Sequence, residues 1–315
     1  MKEIDTRLVY GFLDAGKTTY ITENIRDDRF YKYGSTLIMC FEQGVEKYDE
    51  EQLSEKRTDV VYYKRNNAGN DESEITRFCL ESIEKYQPDR IYVEMNAMMQ
   101  GLRELFPDCM HVTFAAALID WSTMPVYYVN FMQMMKQMVS ESNQVTFRGC
   151  PSSDLLEPYG QAFRLMNPKA SYLRRDPMGY HEKAFGLFLP FSLEDREITI
   201  TEKTYLPLWL DALDHPEHYE GKVIHFTDPL ELQRIDESSP WTCGRVVMTC
   251  CMADLQFMSF ELEAADPRGK RWVTIDASAK VVSDSYGQRK LVLTPTRMDR
   301  TDPPEEMILD GRRQE

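Results

Sequence analysis

The sequence GFLDAGKTT at residues 11–19 decides the fold of the first half of this chain. Its glycines, lysine and first threonine satisfy the spacing G-x4-G-K-[ST] of a phosphate-binding loop. A short apolar run at residues 8–10 precedes the loop, and KTTYITENI continues from it with the periodicity of an amphipathic helix. The strand–loop–helix order that such a loop requires is therefore present in the sequence.

The residue types of this loop suit the binding of a nucleoside triphosphate. Glycines let backbone N–H groups approach phosphates, and a helix N-terminus adds partial positive charge. Lys17 would neutralise the β- and γ-phosphates, and the Thr18 hydroxyl would ligate Mg²⁺. The alternative is a glycine-bearing turn with a solvated lysine. The predicted nucleotide-binding residues of the loop are Gly11, Asp14, Ala15, Gly16, Lys17, Thr18 and Thr19.

Asp14 is an acid at a place where phosphates should sit. Its side chain can point out of the loop while the backbone binds the phosphates. It could instead meet a lysine of a partner or a second cation. The sequence does not decide between these roles.

Short apolar runs alternate with helical patterns through the first half of the chain. The strand candidates lie at residues 8–10, 36–40, 60–63, 91–94, 113–119 and 144–147, with a helical pattern such as 74–86 between them. This alternation predicts an α/β fold with a mostly parallel sheet and helices on both faces. We assign residues 1–185 to this nucleotide-binding domain.

The composition excludes several classes of function. A formal charge of −15 and a sequence pI near 4.9 argue against nucleic-acid partners and anionic membranes. The N-terminus lacks the apolar run of a signal peptide, and no stretch of 18 apolar residues suggests membrane insertion. Seven cysteines without framework spacing indicate reduced thiols. We expect a cytoplasmic protein.

The character of the sequence changes after about residue 185. Residues 186–220 are rich in proline and acids and indicate a connector with short extended pieces. Residues 221–301 contain β-rich runs separated by turn residues, which predict a smaller β-barrel or sandwich domain. Residues 302–315 are predicted to be a polar, frayed tail.

The first half resembles the CobW-type P-loop GTPases over roughly residues 5–175. The segment EMNAM after the strand RIYVE is similar to a Glu-Tyr-Asn-Gly-Met segment of that family, and IMCFEQ is similar to its first switch. The resemblance implies that Glu94 lies near Mg²⁺ or the attacking water, with Asn96 beside it, and that Glu42 is an acid near Mg²⁺. The alternative for both glutamates is a solvated carboxylate at a strand end. It further implies slow, Mg²⁺-dependent hydrolysis of GTP or ATP and work as a metallochaperone.

Two motifs of that family are absent from this sequence. The interval from residue 19 to residue 91 contains only Cys40 and Cys79, so the Gly-Cys-x-Cys-Cys metal motif is missing. Arg148-Gly149-Cys150-Pro151 stands where the guanine-reading Asn-Lys-x-Asp is expected. We take Arg148 as a nucleotide contact and expect weak preference between GTP and ATP. A degenerate, non-catalytic nucleotide-binding scaffold is the competing interpretation.

The second half resembles the C-terminal domain of YcgQ-like proteins, partners of a permease, through GRVVMTCCMADLQFMSFELE. Cys243, Cys250 and Cys251, with Asp254, could hold Zn²⁺ or another thiophilic divalent metal. Adjacent residues of a regular strand face opposite ways, so the alternative is one cysteine in the core and one surface thiol. A thiol redox function is a third interpretation. The expected partners are a metalloprotein client or a permease component, and a homodimer is a further expectation.

Overall fold

The structure is a computed structural model, and the chain forms two compact units within it. The first unit contains Met1–Leu156 and Lys169–Phe185, and the second contains Glu157–Pro168 and Gly186–Glu315. The structure describes residues 2–27, 34–42, 47–64, 72–99, 101–186, 189–250, 252–263, 269, 271–284 and 287–312.

The first unit is built on an eight-stranded sheet with the strand order β3-β2-β4-β1-β5-β6-β7-β8. All neighbouring strands are parallel except β7 and β8. The strands are β1 (Ile4–Gly11), β2 (Thr36–Cys40), β3 (Thr58–Tyr62), β4 (Arg90–Asn96), β5 (Met110–Asp120), β6 (Gln144–Arg148), β7 (Ser171–Arg175) and β8 (His181–Lys183). The helices are α1 (Lys17–Arg26), α2 (Glu50–Ser54), α3 (Glu72–Tyr86), α4 (Met124–Asn130) and α5 (Met132–Ser140).

The register of the central strands brings distant sequence positions to one edge of this sheet. Gly11 at the end of β1 pairs with Asn96 at the end of β4, and Cys40 at the end of β2 pairs with Glu94. Parallel strands that end together present their following loops on the same side, where α/β proteins bind ligands. The phosphate loop, Glu42 and the end of β4 therefore share this edge.

The central strands form because they can be buried on both faces. The side chains from residue 37 to residue 40 on β2 and from residue 91 to residue 95 on β4 are all buried. Such near-continuous apolar runs are typical of parallel strands that are covered on both sides. Glu94 is the exception between residues 91 and 95 of β4, because it is a charged side chain in an otherwise apolar run.

The second unit contains a closed five-stranded barrel. Its elements are α6 (Glu157–Met166), β9 (Glu197–Ile200), α7 (Glu202–Asp214), β10 (Val223–Gln233), β11 (Trp241–Met248), β12 (Leu255–Leu262), β13 (Trp272–Ser283), β14 (Arg289–Arg300) and β15 (Ile308–Asp310). Strands β10, β11, β12, β14 and β13 pair in a ring that closes from β13 back to β10. The pair β12–β14 is parallel and the other pairs of the ring are antiparallel, an arrangement with the Greek-key character of an OB-fold.

The region expected to be an extended connector contains a helix, which corrects that part of the sequence interpretation. Thr201 and Thr204 form a capping box at the start of α7, and the helix continues through Pro207. Its apolar side chains, including Tyr205, enter the core of the second unit with Phe226 and Phe260. The proline and the acidic residues of this region therefore led to a prediction of extended structure where the chain forms a buried helix.

The segment predicted as a frayed tail also differs from the structure. Ile308–Asp310 form β15, which pairs in parallel with Val246–Met248 of β11. Gly311 follows directly, and an added Cβ there would lie 2.4 Å from a methyl carbon of Leu165 in α6. A short chain segment that lacks a marked apolar pattern is thus held by strand pairing and close packing.

The predicted fold class is confirmed by these two units. The first has a mostly parallel sheet with helices, and the second is the β-rich unit that the sequence indicates. Helix α6 precedes residue 185 but is part of the second unit. The exact domain bounds proposed from the sequence stay a prediction. None of the helices in the described residues has the length and apolar character that crossing a membrane requires.

Candidate functional site

The phosphate loop joins β1 to α1 and has the backbone that its glycines allow. Gly16 has φ 79° and Asp14 has φ 59°, so both lie in the left-handed region. A Cβ added to Gly16 would lie 0.9 Å from Nη1 of Arg148, and one added to Gly11 would lie 3.0 Å from the Leu118 carbonyl oxygen. Glycine is needed at 16 for conformation and space, and at 11 for close packing. Asp14 has an exposed side chain, as one of its predicted orientations requires.

Lys17 is buried at the start of α1, with 3% of its side chain exposed. Its ammonium donates to the carbonyl oxygens of Gly11 at 3.3 Å and Phe12 at 2.8 Å, and it forms an ion pair with the Glu42 carboxylate. The loop therefore wraps around its own lysine. The two loop carbonyl oxygens and the Glu42 carboxylate thus hold the ammonium group of Lys17 beside the loop.

Glu42 is held from a second side by Asn96 at the end of β4. The Asn96 side-chain amide donates to Oε1 of Glu42, while its own oxygen accepts from the backbone N–H of Met98 at 2.9 Å. This pair of contacts defines which end of the Asn96 amide faces Glu42. The structure thus brings Lys17, Glu42 and Asn96 together, although they come from three separate parts of the sequence.

Glu94 is a buried carboxyl group beside Thr18, with 5% of the residue exposed. The Thr18 hydroxyl donates to it at 3.1 Å, and the Tyr48 hydroxyl donates to its other oxygen. Burial raises the pKa of Glu94, and this outweighs the hydrogen bond from Tyr48, the Lys17 charge and the Thr18 bond, which lower it. The carboxyl group is therefore placed for proton transfer or for an outer contact with a metal ion.

Tyr48 is a site residue that the sequence interpretation does not include. It is buried, it directly precedes Asp49, and Asp49 caps α2 by accepting from the backbone N–H of Gln52. The helix start thereby fixes the position of Tyr48 beneath Glu94. Burial, followed by the Glu94 charge, raises the pKa of Tyr48 well above its ordinary value, so the phenol acts as a donor. A lone apolar-looking tyrosine after a polar stretch carries no signal that would single it out.

Arg148 lies against the phosphate loop, where its Nη1 donates to the Ala15 carbonyl oxygen at 3.1 Å. It ends β6, the strand that the guanine-reading motif would follow. Thr19 lies in the first turn of α1 and is half-buried. Arg148 thus contacts the loop from β6, a strand that is distant from the loop in the sequence.

The loop is also braced from α4 and the residue after it. The ring of Phe12 stacks on the ring of Tyr127 at 4.1 Å between centroids, and Phe131 lies 6.2 Å away. Aromatic pairs at these distances add directional packing to their burial. The apolar part of the loop is therefore anchored while Leu13 and Asp14 remain exposed.

The cysteines of the second unit do not form a metal site with other described residues. Cys243 is fully buried in the core of that unit, and burial raises the pKa of its thiol to about 12. Cys250 is also buried, and Cys251 lies outside the described residues. Within the described ranges, no group of three histidine, cysteine, aspartate or glutamate side chains could hold a metal ion. Core packing thus explains Cys243, and the three-thiolate site stays a prediction.

The donor set in the first unit fits a nucleotide with Mg²⁺. Lys17 would supply a buried cation for phosphate oxygens, and Thr18, Glu42 and Glu94 carry oxygen atoms of the kind that Mg²⁺ prefers. These side chains lie at the end of a parallel sheet and at the start of a helix, which favours anions. Phosphate binding and metal binding can therefore occur at adjacent points of one site.

A comparison with family models matches the second half of the chain. The DUF1980 C-terminal domain model matches residues 184–307, which include α7 and the barrel strands. No curated protein matches the chain.

Several solved structures are similar to part of this chain. The hydrogenase maturation factor HypB from Archaeoglobus fulgidus is 15% identical, with a TM-score of 0.38 over 55% of this chain and 81% of that one. A Zn(II)-bound triple mutant of the YjiA GTPase is 16% identical, with a TM-score of 0.39 over 55% of this chain and 58% of that one. HypB from Helicobacter pylori in complex with nickel is 10% identical, with a TM-score of 0.35 over 54% of this chain and 78% of that one.

Proposed function

We propose that this protein binds GTP or ATP with Mg²⁺ at the phosphate loop and hydrolyses it slowly. The observation that carries the proposal is the pair Lys17–Thr18, buried at the start of α1 and facing the carboxylates of Glu42 and Glu94. A buried lysine and a buried acid are costly unless they serve a partner or a ligand. Their position at the end of the sheet where helix α1 begins supports a triphosphate as that ligand.

Each residue of the site has a distinct role in this proposal. Lys17 neutralises phosphate oxygens, and Thr18 offers its hydroxyl to the metal ion. Bound Mg²⁺ would neutralise negative charge on the phosphates during transfer. Glu94 accepts a proton from, or orients, the attacking water, and Tyr48 keeps its carboxyl group in place. A raised pKa brings Glu94 closer to the range in which a carboxyl group exchanges protons at neutral pH.

We further propose that the nucleotide cycle is coupled to metal handling and to a protein partner in the cytoplasm. This part rests on the sequence resemblance to CobW-type GTPases and, for the second unit, to YcgQ-like proteins. The two halves together suggest a nucleotide-dependent delivery of metal to a metalloprotein client or a permease component. The second unit would serve as the contact for that partner.

Phosphate release from GTP and ATP by the full chain tests the enzymatic part. Glu94→Gln keeps the shape of the side chain and should lower the turnover rate by about a hundredfold or more, since it removes the proton acceptor. Glu104→Gln, an exposed acid in the same unit, is the matched control and should retain the wild-type rate. Equal rates for wild type and Glu94→Gln would remove Glu94 from catalysis.

The second candidate function is a nucleotide-binding scaffold without turnover. Arg148 favours it, because a donor-only side chain contacts the loop at the end of the strand where a guanine-reading carboxylate is expected. A scaffold would bind triphosphate with Mg²⁺ but release no phosphate above the buffer rate. Measuring binding and release on the same sample separates the two candidates.

A further inference from the structure

The single buried ammonium of the phosphate loop already has an anionic partner within the protein. Lys17 and Glu42 form an ion pair with side chains only 3% and 9% exposed. Asn96 donates to the other oxygen of Glu42 and so keeps the carboxylate turned toward this position. The ion pair is thus held by residues from three parts of the chain, and it differs from a chance contact between mobile side chains on the surface.

A triphosphate and Glu42 need the same cation. Phosphate oxygens must approach Lys17 to be neutralised, and a carboxylate against the ammonium competes with them. When a phosphate replaces it, the Glu42 carboxylate loses its cation and lies buried beside new negative charge. Leaving a buried charged group without its partner is strongly unfavourable.

A divalent cation removes this penalty because it gives Glu42 a new positive partner. Glu42 follows β2 by two residues, and Cys40 of β2 is in register with Glu94, the acid that contacts Thr18. The carboxylate that leaves Lys17 therefore lies on the side of the site where the metal-binding hydroxyl is found.

We propose that Glu42 makes this site selective for the Mg²⁺ complex of the nucleotide and discriminates against the metal-free triphosphate. The inference rests on the proposed function and adds a specificity-determining role for Glu42. In this view Glu42 has two positions, one paired with Lys17 and one turned toward the metal ion. A nucleotide without metal must displace the Glu42 carboxylate from Lys17, and it offers no metal ion for the carboxylate to bind afterwards.

The test is isothermal titration of the full chain with GTP and with ATP, once with excess Mg²⁺ and once with EDTA. Glu42→Gln keeps the hydrogen bond with Asn96 but removes the competing charge. Its affinity in EDTA should exceed that of the wild type by about tenfold or more, corresponding to about 1.4 kcal/mol. With Mg²⁺ its affinity should be equal to or lower than that of the wild type.

A matched control separates this effect from a general change in charge. Glu104→Gln removes one negative charge from an exposed position of the same unit and keeps the size of the side chain. Because solvent and salt screen an exposed charge, this variant should change either affinity by less than about threefold. Glu42→Ala provides a second removal of the carboxylate, and circular dichroism verifies that each variant is folded.

Each outcome of this experiment decides the question. Tighter binding in EDTA for both Glu42 variants, without such a gain for Glu104→Gln, supports the inference. Weaker binding with Mg²⁺ but unchanged binding in EDTA would make Glu42 a metal ligand only and overturn it. If the wild type and both Glu42 variants bind no triphosphate under either condition, the proposed function fails as well.

Discussion

Tyr48→Phe removes one hydroxyl group from beneath the candidate site, and its cost can be worked out from the structure. Tyr48 is 7% exposed and donates to the buried carboxyl group of Glu94. Without this donor, the second oxygen of Glu94 keeps a contact with Thr18 at 3.4 Å. A hydrogen bond to a charged group contributes about 1.5–3 kcal/mol, so we expect this loss in the unfolding free energy of the first unit at pH 8.

The same change should cost less in acid, and the sign follows from the pKa of Glu94. Burial raises this pKa, so the contribution of Glu94 to stability is complete below its unfolded pKa and is lost as the pH rises through the folded pKa. The Tyr48 bond lowers the folded pKa, and its removal raises that pKa further. At pH 5 a larger share of Glu94 is protonated, and the loss should fall to about 1 kcal/mol, the value for a neutral hydrogen bond.

Urea denaturation of wild type and Tyr48→Phe at pH 5 and pH 8, with the transitions of the two units fitted separately, measures this difference. Tyr180→Phe is the control, because Tyr180 belongs to the same unit and is 70% exposed. It should change the unfolding free energy by less than about 0.5 kcal/mol at both pH values. A Tyr48→Phe loss below that value at pH 8, or an equal loss at both pH values, would refute this account of Glu94.

Three further predictions concern the loop, the base and the thiols. Gly16→Ala should abolish triphosphate binding and destabilise the first unit by at least about 1–2 kcal/mol, because alanine disfavours the left-handed backbone and its Cβ displaces Arg148. Tight binding of triphosphate by this variant in calorimetry would contradict the prediction. GTP and ATP should bind within about tenfold of each other in competition assays, since phosphate contacts carry most of the affinity. A hundredfold preference for GTP would mean that an acid reads guanine, such as Asp154 in the short turn Ser153–Leu155 that follows β6. Iodoacetamide at pH 8 should leave Cys243 unmodified in the native protein and modify it in urea, because its buried thiol has a pKa of about 12; rapid native labelling seen by mass spectrometry would contradict its place in the core.

The parts of the site that the sequence predicts are those that follow directly from strand ends. Gly11, Glu94 and Asn96 end or nearly end apolar strands, and parallel pairing places such ends together. The lysine and threonine of the loop are fixed by motif spacing alone. For these residues, local pattern and sheet topology indicate the same position.

Tyr48 and Tyr127 illustrate what the sequence does not reveal. Their contacts join residues far apart in the chain, namely Tyr48 with Glu94 and Tyr127 with Phe12. The local sequence around each gives no motif, because a buried hydroxyl or ring finds its partner only after the sheet and helices are packed. Interactions of this kind depend on tertiary structure.

Some helices and strands are not predicted from the sequence because their patterns of apolar residues are mixed or short. The strand β7 has the sequence SYLRR, and its two arginines interrupt the apolar pattern that would predict a strand beside β6. Helix α7 contains Pro207, which normally disfavours the helix interior. The three-residue strand β15 is too short for any period to be visible. In each case tertiary pairing or burial outweighs the local propensity.

Calorimetric titration of the full chain with GTP and Mg²⁺ tests phosphate binding at residues 11–19 most directly, with a comparison of wild type, Lys17→Ala and Lys85→Ala. Lys85 is an exposed lysine on α3 and serves as the matched control. The double variant Lys17→Ala, Glu42→Gln removes the acid that the single variant leaves without its ion pair.

Wild type and Lys85→Ala should bind GTP with similar affinity. Both variants that lack Lys17 should bind at least about a hundredfold more weakly, because charge-assisted contacts to the phosphates are lost. Binding of wild-type strength by either Lys17 variant would contradict the assignment of residues 11–19 as the phosphate site.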